Sequence, residues 1–167
     1  AWVEGRILKE AAGTLKVSRE KDEPETPLML SELDLLKGRK QETLDALDAH
    51  LIKASYAKGT KLFSRGDVAG DLFFVRKGLV GLTLPIDRDR SRRVNTCGRG
   101  AFFGEAGFLD GKAHTTDAIA LTDVEVFVLS RKALDQFAEK HKRAALNLMA
   151  GLASIVTDRV RKLTDEL

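Results

Sequence analysis

The sequence predicts a mainly β domain with helices at both ends, and three observations carry that expectation. From Ile52 onward the apolar residues fall in short runs with loose period-two alternation, joined by turns that contain glycine. Many short strands at close spacing build a compact antiparallel barrel or sandwich. Both flanks switch to apolar steps of three and four, the period of an amphipathic helix. With 167 residues, 43% of them hydrophobic, the chain can bury one core without staples.

Taken in order, Ala1–Leu8 reads as the middle of a helix, with Trp2, Val3 and Ile7 near helical spacing and no N-cap before them. A piece of a longer protein is the expected source of such a start. Residues 13–27 are polar and charged and carry Pro24 and Pro27, so a linker is expected, running to residue 30. Ser31 is placed to cap a single helical turn that Gly38 ends. Gln41–Leu51 brings Leu44, Leu47 and Leu51 onto one face of a second short helix. Strands are expected over residues 52–57, 61–64, 71–76, 79–84, 92–96, 118–121 and 124–129. Ser130 then suits the N-cap of a helix through Glu139. A last helix, Ala144–Leu167, carries Met149, Leu152, Val156, Val160, Leu163 and Leu167 at steps of three and four. Such a stripe lines a dimer seam as well as a domain core.

Composition removes several classes. The 28 basic and 25 acidic residues are mixed along the chain, for a net charge of +3, which does not make a nucleic-acid binder. Arg88, Arg90, Arg92, Arg93 and Arg99 are interrupted by Asp87 and Asp89, as on a solvated hairpin tip. Cys97 is the only cysteine, so there is no disulfide framework and no thiolate metal cluster. No apolar run approaches the ~20 residues of a membrane span. A cytoplasmic setting is expected, including the cytosolic portion of a membrane protein. His50, His114 and His141 have no metal-ligand spacing. No nucleophile elbow and no P-loop appear. Neither catalytic residues nor a metal are expected, and the chain is read as not an enzyme.

Gly98–Asp117 is the stretch with chemistry in it: Gly-Arg-Gly-Ala-Phe-Phe-Gly-Glu-Ala-Gly-Phe-Leu-Asp-Gly-Lys-Ala-His-Thr-Thr-Asp. Glycines let backbone N–H groups approach an anion, and a neighbouring carboxylate accepts hydrogen bonds from a sugar hydroxyl. By spacing alone, this is either a ribose-phosphate cradle or a set of tight turns between strands.

The landmarks Arg65-Gly66-Asp67, Asp71-Leu72-Phe73-Phe74-Val75-Arg76-Lys77-Gly78, Phe102-Phe103-Gly104-Glu105 and Phe108-Leu109-Asp110-Gly111 resemble cyclic-nucleotide-binding domains of the bacterial catabolite-activator type. The resemblance runs from about Leu33 to Leu167. It implies an eight-stranded antiparallel β-roll, of the double-stranded β-helix or jelly-roll type, with N-terminal and C-terminal helices. It also implies a phosphate-binding cassette centred on Gly104 and Glu105, whose glutamate takes the ribose 2′-hydroxyl while neighbouring N–H groups meet the phosphate. The implied ligand contacts are Phe103, Gly104, Glu105, Ala106, His114, Thr115 and Thr116. The closing helix is expected to pair two copies or to lid the site.

One departure bears on the ligand. Where such domains carry Arg, then Ser or Thr, then Ala, this chain reads His114-Thr115-Thr116. Arginine is always charged and bidentate, whereas a histidine near pKa 6.5 is only partly cationic at neutral pH. At the head, residues 1–12 are similar to the last helix of STAS domains. That implies a tail helix at 1–12, a linker at 13–30 and a cyclic-nucleotide-binding-like domain at 31–167, at the end of a sulfate-permease-type transporter or a glutaminase. The expected function is a regulatory sensor that binds cAMP, ahead of cGMP, with no other cofactor, and controls the tethered unit. The alternative is a degenerate β-roll kept for homodimerisation or partner docking without nucleotide. A pH-responsive site built on His114 is a third reading.

Overall fold

Strand formation follows the apolar alternation closely in this computed structural model, which describes residues 26–167. The expected tail helix at 1–12 and residues 13–25 of the expected linker lie outside the described residues. Eight strands form: β1 (Ile52–Tyr56), β2 (Lys61–Phe63), β3 (Asp71–Lys77), β4 (Val80–Pro85), β5 (Ser91–Cys97), β6 (Phe102–Phe103), β7 (Asp117–Ala120) and β8 (Val124–Ser130). They make two antiparallel four-stranded sheets, ordered β1-β8-β3-β6 and β2-β7-β4-β5. The register sets Phe73 against Val128 and Phe103, and Thr83 against Asp117 and Arg93.

The first sheet is buried on both faces, which explains the unbroken run Leu72-Phe73-Phe74-Val75. Phe73 and Val75 turn into the space between the sheets, with Val80, Phe103, Ala118 and Val126. Leu72 and Phe74 turn the other way, against the helices, with Phe127, Leu134, Phe137 and Leu148. One sheet therefore separates two cores.

The helical parts are two 3-10 turns (Leu30–Glu32 and Asp34–Leu36), α1 (Gln41–Asp48), α2 (Glu105–Asp110), α3 (Arg131–Lys140) and α4 (Lys142–Asp165). Ser130 caps α3 as its side chain suggests, Oγ accepting from the Ala133 N–H at 3.0 Å. Ser31 does not cap a single turn. Instead the Met29 N–H donates to the Glu32 carboxylate at 2.6 Å, and Leu33 breaks the segment into two 3-10 turns. Within the expected linker, Leu28 and Leu30 are buried. Leu28 exchanges two bonds with Arg76: its N–H donates to the Arg76 carbonyl, and its own carbonyl accepts from Arg76 Nε. Residues 26–30 thus pack on the domain. Among the described residues no helix is long and apolar enough to cross a membrane.

Candidate functional site

The glycine-rich stretch forms the sixth strand, β6, and the short helix α2. After β6 the chain turns at Gly104, whose φ of +79° is a conformation L side chains rarely adopt. A Cβ there would also sit 2.7 Å from the Asp71 carbonyl oxygen. Two residues into α2, a Cβ on Gly107 would lie 2.1 Å from that of Ala69. These close approaches press α2 onto the loop between β2 and β3 and fix Glu105 as the first residue of α2.

That loop is the Arg65-Gly66-Asp67 landmark, and it is tied to the other end of the cassette. The Gly66 N–H donates to the His114 carbonyl, and the His114 N–H donates to the Asp67 carbonyl. The Asp67 side chain accepts from the Ser64 N–H at 2.9 Å. Asp117 accepts from the Arg65 N–H at 2.7 Å and from Lys61 Nζ at 3.1 Å. The Arg65 N–H, with help from Lys61, holds the Asp117 carboxyl below its usual range.

Glu105 is turned toward α4. Its Oε1 receives Arg159 Nη1 at 3.3 Å, and its side chain retains 24% exposure against 42% for Arg159. The guanidinium also lies 4.4 Å over the Phe102 ring. Close by, burial pushes the Cys97 thiol up to about 11, with the Glu105 carboxylate adding to the shift and Arg159 opposing it. Arg159 further lines a cavity of about 160 Å³ between the first sheet, the 3-10 turns and α4, with Leu35, Phe74, Phe102 and Ile155.

His114 is 8% exposed and stacks on Phe63, with ring centroids 3.6 Å apart and planes 6° from parallel. Burial pulls its pKa below 6.5, against the pull of the Asp67 and Asp71 carboxylates. At neutral pH it is therefore an uncharged ring. Phe103 is fully buried and stacks on Phe73 at 4.9 Å. Gly104, Glu105 and Thr116 are partly buried, while Ala106 and Thr115 are exposed. The structure thus gathers Gly104, Glu105 and Ala106 at one turn and His114 to Thr116 at the opposite end of the cassette, with Phe103 packed into the roll.

Sequence reasoning missed Phe63 and Arg159. A signal for Arg159 existed: it continues the buried stripe of α4, Ala145, Leu148, Leu152 and Ile155, at steps of three and four. An arginine in register with a buried face is a residue that reaches for something.

The fold and this cassette define a class, and comparison with known proteins agrees. The family model for the cyclic nucleotide-binding domain matches residues 53–141, and the chain belongs to that family. It is similar to the N-terminal domain of a transcriptional regulator from Streptomyces coelicolor, with a TM-score of 0.68 and 26% identity over 82% of this chain and 93% of that one. It is 27% identical to the cAMP-activated global transcriptional regulator CRP of Haemophilus influenzae, over 81% of this chain and 64% of the regulator. It is 30% identical to glutaminase 1 of Bradyrhizobium diazoefficiens over 95% of its own length, and spans about a quarter of that glutaminase, 24%.

Proposed function

We propose that this domain is a ligand sensor that binds a cyclic nucleotide, cAMP ahead of cGMP, and passes the event to an upstream unit in the same polypeptide. The observation that carries the reading is Glu105: a carboxylate at the first position of α2, beside a left-handed glycine, held partly buried by an arginine from the closing helix. A ribose 2′-hydroxyl offers such a carboxylate a donor, and the N–H groups of the same turn face an anion. Gly104, Glu105, Ala106, His114, Thr115 and Thr116 would meet the ligand, with Phe103 supporting the turn from within the roll.

Ligand at Glu105 competes with Arg159, so binding shifts the population of α4 positions. The outer face of α4 suits a second copy of this chain: Leu146, Ala153, Val156, Val160 and Leu163 recur at steps of seven, three and four, as in a two-stranded coiled coil. The likeness to a glutaminase along nearly the whole chain supports an enzyme as the controlled unit, in preference to a sulfate-permease-type transporter. The STAS-like reading of residues 1–12 fits either host. A cytoplasmic setting follows from a ligand made inside the cell.

Calorimetric titration with cAMP and cGMP tests the reading. Binding is expected, and Glu105→Gln should weaken it ~10–100-fold, the value of a hydrogen bond to a charged group. Absence of heat with the parent domain up to millimolar ligand defeats it. One observation favours the competing reading of a roll without nucleotide: the neutral His114 lies flat on Phe63 where an arginine would stand. Nucleotide binding gained by His114→Arg and absent from the parent would select that alternative.

A further inference from the structure

We propose that Arg159, on the helix that closes the roll, is the cation that holds the ligand's phosphate in place of the arginine the cassette lacks. The inference rests on the nucleotide-binding reading above and deepens it.

The cassette has a deficit of positive charge. His114 is buried and stacked on Phe63, and its desolvation keeps it neutral. Arg76, Arg99 and Arg131 are committed elsewhere: Arg76 to the Leu28 carbonyl and Glu125, Arg99 to the Thr26 carbonyl and Glu32, and Arg131 to the Phe108 carbonyl. Arg159 differs from these. It comes from a distant element, rests on the Phe102 ring, and reaches Glu105 at 3.3 Å while keeping 42% of its side-chain exposure. A guanidinium seated on the carboxylate that receives the sugar is one side-chain swing from the anion joined to that sugar.

A cyclic phosphodiester carries one negative charge on two free oxygens, and the planar guanidinium fork matches that pair. In the ligand-free domain the fork is parked on Glu105. When ligand enters, the 2′-hydroxyl donates to Glu105 and the guanidinium turns to the phosphate oxygens. No bond is made or broken, and both groups exchange one partner for another. Anion recognition and the position of α4 are then a single contact. In a cassette with its own arginine those two events are separable.

The test is titration of the domain, and of Arg159→Gln and Arg159→Lys, with cAMP and with adenosine, which has the sugar and base without the anion. Arg159→Gln should weaken cAMP ~10–100-fold while adenosine loses nothing, so that the preference for the phosphorylated ligand collapses. Arg159→Lys should keep part of that preference, since it retains the charge without the fork. Melting curves of the variants should match the parent. If Arg159→Gln binds cAMP as well as the parent or more tightly, Arg159 is only a latch on Glu105 and the inference is overturned. A parent that binds neither cAMP nor cGMP overturns the nucleotide reading itself, and this inference with it.

Discussion

At the scale of residues, His114 shows how one substitution changes the chemistry of a site while leaving its frame in place. Its backbone keeps both bonds to the Gly66 and Asp67 loop, so the cassette closes. Its ring lies against Phe63, out of water, where protonation is unfavourable. The folded pKa is below 6.5, so the folded domain takes up this proton less readily than the unfolded chain does. The stability tied to a neutral His114 is therefore complete above pH 6.5 and is lost as pH falls below that value toward the depressed one. Asp67 and Asp71 face the ring and limit the depression. Melting temperature should fall more steeply from about pH 7 to 5 for the parent than for His114→Gln. Parallel curves would mean that the ring is solvated.

The sequence showed that position 114 departs from the family pattern, but not where the ring goes. The stack depends on Phe63, fifty-one residues earlier in β2, and no local pattern links the two. Glu105 was legible because glycine, carboxylate and flanking phenylalanines stand together in the chain. Its partner Arg159 was not, because fifty-four residues and three elements (β7, β8 and α3) separate them.

At the scale of elements, α4 carries two stripes where the sequence suggested one. Ala145, Leu148 and Leu152 are buried against the domain, while Val160 and Leu163 are exposed with Leu146 and Leu167. Leu152 belongs to the inner stripe, Met149 packs partly buried against the same core, and Val156, Val160 and Leu163 follow the outer one, with Leu167 just past the helix end. An exposed apolar seam of this period is suited to another helix of the same kind. Sedimentation equilibrium should find the parent domain dimeric and Val160→Asp/Leu163→Asp monomeric, with little change in melting of the isolated fold, since both side chains are exposed. A monomeric parent would remove the coiled-coil seam.

Most elements were readable from local pattern. β1 to β5, β7 and β8 follow alternation or apolar runs, and Ser130 announces α3 as a side-chain cap does. β6 and α2 were not readable. Two residues make no period, and a six-residue helix that holds Gly107 gives little propensity signal. Tertiary contact decides there: Gly104 and Gly107 permit approaches to Asp71 and Ala69 that a side chain would block. The two 3-10 turns near Leu33 were missed for a similar reason, since Leu28, Leu30, Leu33 and Leu36 are fixed by burial and not by a helical repeat.

At the scale of the whole molecule, the sheet β1-β8-β3-β6 stands between the roll interior and the helical core, and α4 runs along the helical side and meets the cassette through Arg159. Its first half is anchored in the helical core through Ala145, Leu148 and Leu152. Farther along, Ile155 lines the cavity of about 160 Å³ and Arg159 reaches the cassette. A ligand at Glu105 therefore acts on the less anchored half of the helix that bears the outer seam. In the function proposed above, this is the route from a nucleotide at Glu105 to the outer face of α4. The most direct measurement is a crystal structure of the domain grown with cAMP. The account predicts the ribose 2′-hydroxyl on the Glu105 carboxylate, with Arg159 displaced from its present seat. Nucleotide bound elsewhere, or crystals from saturating ligand in which Arg159 still occupies Glu105, would contradict it.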